Sequence, residues 1–205
     1  MNEALVQWAQ RIQALSQTGL TYAKDPYDRA RYEELREIAA EMLAAPLGAA
    51  PPEIAGLFRA EEGYATPKVD VRGVIIQDGK VLLVRERSDG LWTLPGGWAD
   101  VGDPPSGAVE REIREESGYE AKAIKLLALY DRTLHGHPPM AFHVYRAFFR
   151  CEITGGSPAL SDETDGVDFF ALNALPPLSV ERVTAKQIAR FFDHAHHPDW
   201  PTDFD

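Results

Sequence analysis

The chain has a single cysteine, Cys151, in 205 residues, so no disulfide can form within it. Positive charge is in deficit. Lys and Arg number 21 against 32 Asp and Glu, a net charge of −11 at pH 7. A field of that sign repels bare phosphate backbones, which argues against nucleic acid as a partner. Residues 1–60 show the same deficit, with six basic and eight acidic side chains, so no basic footprint for a DNA-binding module appears. Apolar runs fall far short of the roughly 20 residues that a membrane helix needs. Met1-Asn2-Glu3 opens on an acid and lacks the basic and apolar regions of a signal peptide. A cytoplasmic location is the expectation, without a membrane partner. No internal repeat and no low-complexity tail is visible. What remains is 44% apolar and 26% charged, a globular composition in a length suited to one domain and a small appendage. The acidic balance serves solubility. It also leaves anionic substrates open, because a bound divalent cation reverses the local sign.

Hydrophobic periodicity divides the chain in two. Leu5, Trp8, Ile12 and Leu15 follow one helix face, with Gly19 as the expected stop. Asp25-Pro26 reads as an N-cap and first turn, followed by an apolar stripe of Leu35, Ile38, Met42 and Leu43. The Ala/Pro stretch 44–52 is expected to break that helix, and a short one follows at about 53–59. Residues 1–62 thus form a small all-α module, and residues 66–205 a second domain. That domain opens with strand-like Val69, Val71, Val74, Ile75 and Ile76. The hairpin turn Asp78-Gly79, the strand Val81–Val84 and a third short strand, Leu91–Leu94, come next. A helix is expected over 104–117, with Asp103 as N-cap and Gly118 as stop. Strands at about 120–131, 141–153 and 167–171 and a last helix at about 180–194 complete the pattern. Irregular alternation with hairpins predicts a mixed sheet covered by helices. Cys151 reads as a small buried hydrophobe, and the cluster of His194, His196 and His197 as surface.

The helix after Asp103 carries Glu112, Glu115 and Glu116 at i, i+3 and i+4, on one face one turn apart. Like charges at that spacing repel, so a positive partner is expected. Arg111 can pair with Glu115 at i+4, and a hard divalent cation suits carboxylate oxygens. Taken alone, three glutamates are also compatible with a solvated acidic face. They are not alone. Gly96-Gly97 lies upstream, where adjacent glycines let backbone approach a metal or phosphate closely.

Gly97, five residues, Asp103, seven residues, then Arg111-Glu112-Ile113-x-Glu115-Glu116-x-Gly118-Tyr119 resembles the signature of the Nudix family. Two positions depart from it: Asp103 stands for a glutamate and Tyr119 for an aliphatic residue. The shorter Asp103 keeps the pairing with Arg111, acts only as N-cap, or loosens the turn. The resemblance implies a Nudix α/β/α sandwich with a mixed sheet, preceded by the small all-α domain. It implies divalent-metal-dependent hydrolysis of a nucleoside diphosphate linked to X, with Mg2+ or Mn2+ held by Glu112, Glu115, Glu116 and the Gly96 carbonyl. Arg111 supports the box. Glu163, in the loop Ser161–Gly166, is the favoured general base, with Glu116 as the alternative.

The resemblance extends along the chain, through Trp8–Leu15, Tyr27–Leu35, Thr66–Arg72, Trp98–Gly102 and Asp131 with His135 and His137. It is to a branch that includes the bacterial CDP-choline and ADP-ribose pyrophosphatases, whose helical modules dimerise, so a homodimer is implied. CDP-choline is the favoured substrate and ADP-ribose the alternative. A non-catalytic nucleotide sensor is the reading of another class, and there an eroded glutamate triad is expected. Aromatic faces bind quaternary ammonium groups, which makes Trp8, Tyr22, Tyr27, Tyr32 and Trp98 candidates for contact with X. Arg72 is a candidate for phosphate. His135 and His137 are candidates for substrate contact or a zinc pair.

Overall fold

The computed structural model describes residues 3–205. The start of the opening Met1-Asn2-Glu3, on which the signal-peptide expectation rested, lies outside the described residues. The chain divides into two compact units, one comprising residues 1–67 with 139–143 and the other residues 68–138 with 144–205.

The first unit holds helices α1 (Glu3–Tyr22), α2 (Pro26–Leu47) and α3 (Pro51–Arg59). Asp25 caps α2 by accepting from the Tyr27 and Asp28 backbone N–H groups. Two expected stops are overridden by packing. Helix α1 runs through Gly19, because that position serves contact: a Cβ there would lie 2.4 Å from the Tyr32 ring. Helix α2 runs through Pro46 and ends at the left-handed Gly48, so the Ala/Pro stretch breaks the chain only after Leu47. Val6, Ala9, Ala39, Leu43, Ile54 and Phe58 form the core of the unit. The 139–143 segment joins it: Gln10 Nε2 donates to the Met140 carbonyl at 2.9 Å, and the Phe58 and Phe142 rings meet edge to face.

The second unit is an α/β/α layering of two sheets. Strands β1 (Lys68–Val74), β6 (Val144–Gly156), β5 (Tyr119–Asp131) and β8 (Asp203–Phe204) form one sheet in the order β1-β6-β5-β8. In it β1 and β6 run parallel, and β5 and β6 antiparallel. Strands β2 (Ile76–Gln77), β4 (Trp92–Thr93) and β7 (Thr164–Ala171) all pair antiparallel with β3 (Lys80–Glu86) in the other. The β2–β3 turn has Asp78 and Gly79 at φ 51° and 73°, the primed geometry that suits hairpin twist. Alternate strand residues feed opposite cores. Val81, Leu83 and Phe148 pack with Ile188 and Phe191 of α5 (Ala185–His196). Leu82 and Ala147 pack with Val109 and Ile113 of α4 (Pro105–Ser117). Cys151 is buried in this second core, as expected.

Three further expectations are corrected. Pro104 is the N-cap of α4 and Asp103 caps nothing, because its carboxylate is drawn to Arg111 at 3.3 Å. Helix α5 begins only at Ala185, where Thr184 and Gln187 form a capping box. His194 is not at the surface: it is fully buried, with Nε2 3.1 Å from Asp203.

Candidate active site

Helix α4, the turn after β4, the β1 and β3 strands and the 161–163 loop converge on a cleft of about 530 Å³. Gly96 makes the convergence possible. Its φ is 144°, and a Cβ would lie 2.0 Å from the Val71 carbonyl oxygen. The backbone there lies against β1, with Val71 N–H donating to Gly97 O at 2.9 Å and Gly73 N–H to Pro95 O at 2.8 Å. In this position the Gly96 N–H donates to Glu116 Oε2 at 2.8 Å. The next residue is less tight, since a Cβ on Gly97 would lie 3.0 Å from the Glu112 Oε2 at the end of a side chain.

Seven carboxylates line the cleft: Glu112, Glu115 and Glu116 from α4, Glu86 from the end of β3, Asp100 from the turn after β4, and Asp162 and Glu163 from the loop before β7. Glu116 is 4% exposed. Burial, reinforced by the charges of Glu86 and Glu112, pushes its carboxyl up to about 8 against the opposing pull of Arg72 and the Gly96 N–H. Burial also raises Glu112, opposed by Arg111, and raises Glu86, opposed by Arg182 and Arg72. Arg111 gathers the outer acids, with Glu112 at 2.9 Å, Glu115 at 3.1 Å, Asp100 at 3.2 Å and Asp103 at 3.3 Å. The expected Asp103–Arg111 pairing is therefore present despite the missing methylene.

Arg72 reaches the cleft from within β1. It is buried and clasps Asp70 through Nε and Nη2 at 2.8 and 2.9 Å. Trp98, half-exposed, and the Ser161–Glu163 loop complete the walls. The loop is ordered by the Ser161 hydroxyl, which accepts from the backbone of Glu163 and Thr164, and by Arg87 N–H donating to Glu163 O.

His135 and His137 are not among the residues that line this cleft. His135 stacks on Tyr130 and meets Asp205 at 2.8 Å. His137 donates through Nδ1 to the Val180 carbonyl at 2.7 Å, and burial pushes its pKa down to about 4. The two rings have separate partners and form no zinc pair. Tyr22 is exposed at the end of α1, within the helical unit. Sequence reasoning missed Glu86 and Arg182. Glu86 had a readable signal: with Leu82 and Val84 it keeps the two-residue period of one β3 face, so an acid stands where an apolar residue is due. Arg182 had none. Its Nε lies 3.2 Å from Glu86, and this contact joins residues distant in sequence.

The family model of a NUDIX domain matches residues 66–191, and that of a UDP-X-like, N-terminal oligomerisation domain matches residues 3–58. The chain belongs to the Nudix hydrolases. It is 46% identical over 197 residues to a Bacillus subtilis protein named "Putative ADP-ribose pyrophosphatase YjhB", covering 96% of this chain and 95% of that one. A solved UDP-X diphosphatase is 35% identical, with TM-score 0.65 and full coverage of both chains. An ADP-ribose pyrophosphatase from Streptococcus suis is 38% identical with TM-score 0.64, covering 68% of this chain and all of that one. The Nudix hydrolase therefore acts on phosphorus-containing anhydrides, and its substrate is a nucleoside diphosphate derivative. Nudix hydrolases in general use divalent metals. The residues present fit such an ion: hard carboxylate oxygens crowd one cleft, where burial above all, and then the charges of Glu86 and Glu112, raises Glu116. Among the described residues no group of three or more His, Cys, Asp or Glu side chains is already gathered closely enough to hold an ion.

Proposed function

We propose that this Nudix hydrolase cleaves the diphosphate of ADP-ribose, giving AMP and ribose 5-phosphate. The observation that carries the reading is the pairing, in one cleft, of clustered carboxylates with an arginine that has hydrogen-bonding capacity to spare. Three of the five N–H groups of Arg72 are taken, two by Asp70 and one by the Leu94 carbonyl at 3.2 Å. The other two have no protein partner among the described residues and are available to a substrate phosphate. Glu112, Glu115, Glu116 and the Gly96 carbonyl would hold Mg2+, or Mn2+ in its place. A bound divalent cation supplies neutralisation of the diphosphate charge. Glu163 takes the proton of the attacking water, whose oxygen bonds to phosphorus as the anhydride P–O bond breaks. Arg111 keeps the outer glutamates ordered.

ADP-ribose is preferred to CDP-choline on two grounds. A relative that matches nearly the whole chain at 46% identity is named a putative ADP-ribose pyrophosphatase. Trp98 is also the single aromatic residue on the cleft wall among the described residues, and one ring is not a cage for a quaternary ammonium. CDP-choline stays as the second reading because that ring is half-exposed and faces the cleft. The helical module serves dimerisation: Trp8, Leu15 and Tyr22 recur every seven residues along α1 and are each more than half exposed. A reducing cytoplasm suits a chain whose one thiol is buried.

Product analysis with magnesium tests the reading on ADP-ribose, CDP-choline, UDP-sugars and nucleoside triphosphates, with Glu116→Gln as the control. Release of AMP and ribose 5-phosphate, lost in the variant, is the expected result. Faster release of CMP and phosphocholine would move the substrate and keep the chemistry. Tight nucleotide binding without turnover would overturn it in favour of a sensor.

A further inference from the structure

The carboxylate of Asp70, which is buried and does not line the cleft, is clasped twice. Arg72 donates to its two oxygens at 2.8 and 2.9 Å, and Arg146 donates to the same two at 3.1 and 3.3 Å. All three residues are at most 5% exposed. The group is a buried triad of two guanidiniums on one carboxylate, with a net charge of +1 directed at an acid-lined cleft.

The two arginines differ in what they have left to give. A guanidinium has five N–H groups in a rigid fork. Arg146 spends its fork on the protein. Nε and Nη2 go to Asp70, Nη1 and Nη2 reach the Glu181 carbonyl at 3.4 and 3.5 Å, and Nη1 also donates to the Arg182 carbonyl. Arg146 is not among the residues that line the cleft, whereas Arg72 is, with two N–H groups unspent among the described residues. The same Arg146 therefore fixes Arg72 through Asp70 and tethers the turn that delivers the Arg182 side chain to Glu86.

We propose that Arg146 and Asp70 are positioning residues that aim Arg72 at the diphosphate of the substrate, Arg146 acting on Arg72 through the shared carboxylate. The proposal rests on the reading of the cleft as a diphosphate site. A lysine at position 146 keeps the buried charge but offers no flat two-pronged clasp, so Asp70 can turn and take Arg72 with it.

The test is a double-mutant cycle of Arg146→Lys and Arg72→Lys. The first readout is calorimetric binding of methylenediphosphonate with magnesium, a diphosphate that cannot be hydrolysed. The second is the split of KM against kcat on ADP-ribose, with melting temperature recorded throughout. Each single variant should weaken diphosphonate binding about tenfold, the scale of one charged hydrogen bond. The double variant should be no weaker than Arg72→Lys alone. KM should rise in Arg146→Lys by a similar factor, with kcat changed less than about threefold. Additive losses would overturn the proposal, and so would a lowered melting temperature with unchanged binding, which is the result of a merely structural role. Absence of wild-type diphosphonate binding would overturn it as well. If wild-type protein turns over no nucleotide yet binds diphosphonate with the non-additive pattern, the substrate reading falls and the triad stands.

Discussion

Replacing Gly96 with alanine should damage stability and chemistry together, although only one methyl group is added. The φ of 144° lies where L-residues rarely go, a strain of about 1–3 kcal/mol. The new Cβ would meet the Val71 carbonyl oxygen at 2.0 Å, so the backbone must move away from β1. That movement weakens the two main-chain bonds beside it, Val71 N–H to Gly97 O and Gly73 N–H to Pro95 O. It also withdraws the Gly96 N–H from Glu116, a bond to a buried carboxylate of about 1.5–3 kcal/mol. The parts overlap, and a total of about 3–5 kcal/mol is a reasonable working figure. For a chain of this size that lowers the melting temperature by about 10–15 °C.

Gly97→Ala is the matched control. Its Cβ would meet the tip of the Glu112 side chain at 3.0 Å, not backbone. The side chain can swing aside, so the stability loss should stay below about 1 kcal/mol while turnover falls with the displaced carboxylate. The assay is thermal and urea unfolding of both variants beside initial rates on the same substrate. A Gly96→Ala protein that melts within 2 °C of wild type, or two variants that lose equal stability, would refute the reasoning.

The remaining predictions concern other parts of the molecule. Stability should fall as pH drops from about 6.5 to 4, because the unfolded chain protonates His137 while the native ring, held down to about 4, does not. The slope is at most about 1.4 kcal/mol per pH unit and is reduced by the ring's partial exposure. It should be shallower in His137→Gln, as read from urea midpoints across that range. Asp203 accepts from Arg190 at 2.6 and 2.8 Å and from Tyr130 at 3.0 Å, beside the buried His194. Asp203→Asn should cost about 2–3 kcal/mol by leaving those donors short of charge, and an unchanged denaturation midpoint would refute this. Leu15→Glu places a charge on the exposed α1 stripe and should shift the species seen by light scattering from dimer to monomer. A variant that stays dimeric would exclude this face as the seam.

Local signals and long-range contacts explain which parts of the structure were legible. The Asp78-Gly79 turn, the Asp25 cap and the α4 glutamate spacing each depend on residues a few positions apart, and each appears as expected. The failures are places where a distant partner outbid a local rule. Gly19 is a helix breaker by propensity, yet it stays helical because Tyr32 packs where its side chain would be. Asp103 is a good N-cap by type, yet Arg111 eight residues on holds it, and Pro104 caps instead. His194 looked like part of an exposed histidine cluster, but Asp203 draws it inside. The late start of α5 is a different kind of miss, since the Thr184-x-x-Gln187 box was readable in the sequence.

The site itself shows the same division. The box glutamates came from spacing along one helix, and that spacing sets their repulsion. Arg111 on the same helix balances part of that repulsion, and the rest of the balance comes from elsewhere: Arg72 from β1, Arg182 from the turn before α5, and Arg146 from β6 through Asp70. No local pattern marks Arg146, because its side chain is spent on a carboxylate and carbonyls remote in sequence. A cleft lined by seven carboxylates can accept a diphosphate only if positive charge is fixed beside it at a set distance. A free surface lysine would instead collapse onto the nearest glutamate. The buried clasp on Asp70 prevents that collapse, since swinging Arg72 onto Glu116 would strip two charged bonds from a carboxylate that burial alone would raise and that the arginines hold below its usual range. The clasp thus keeps Arg72 off Glu116 and leaves two of its N–H groups free to meet a diphosphate.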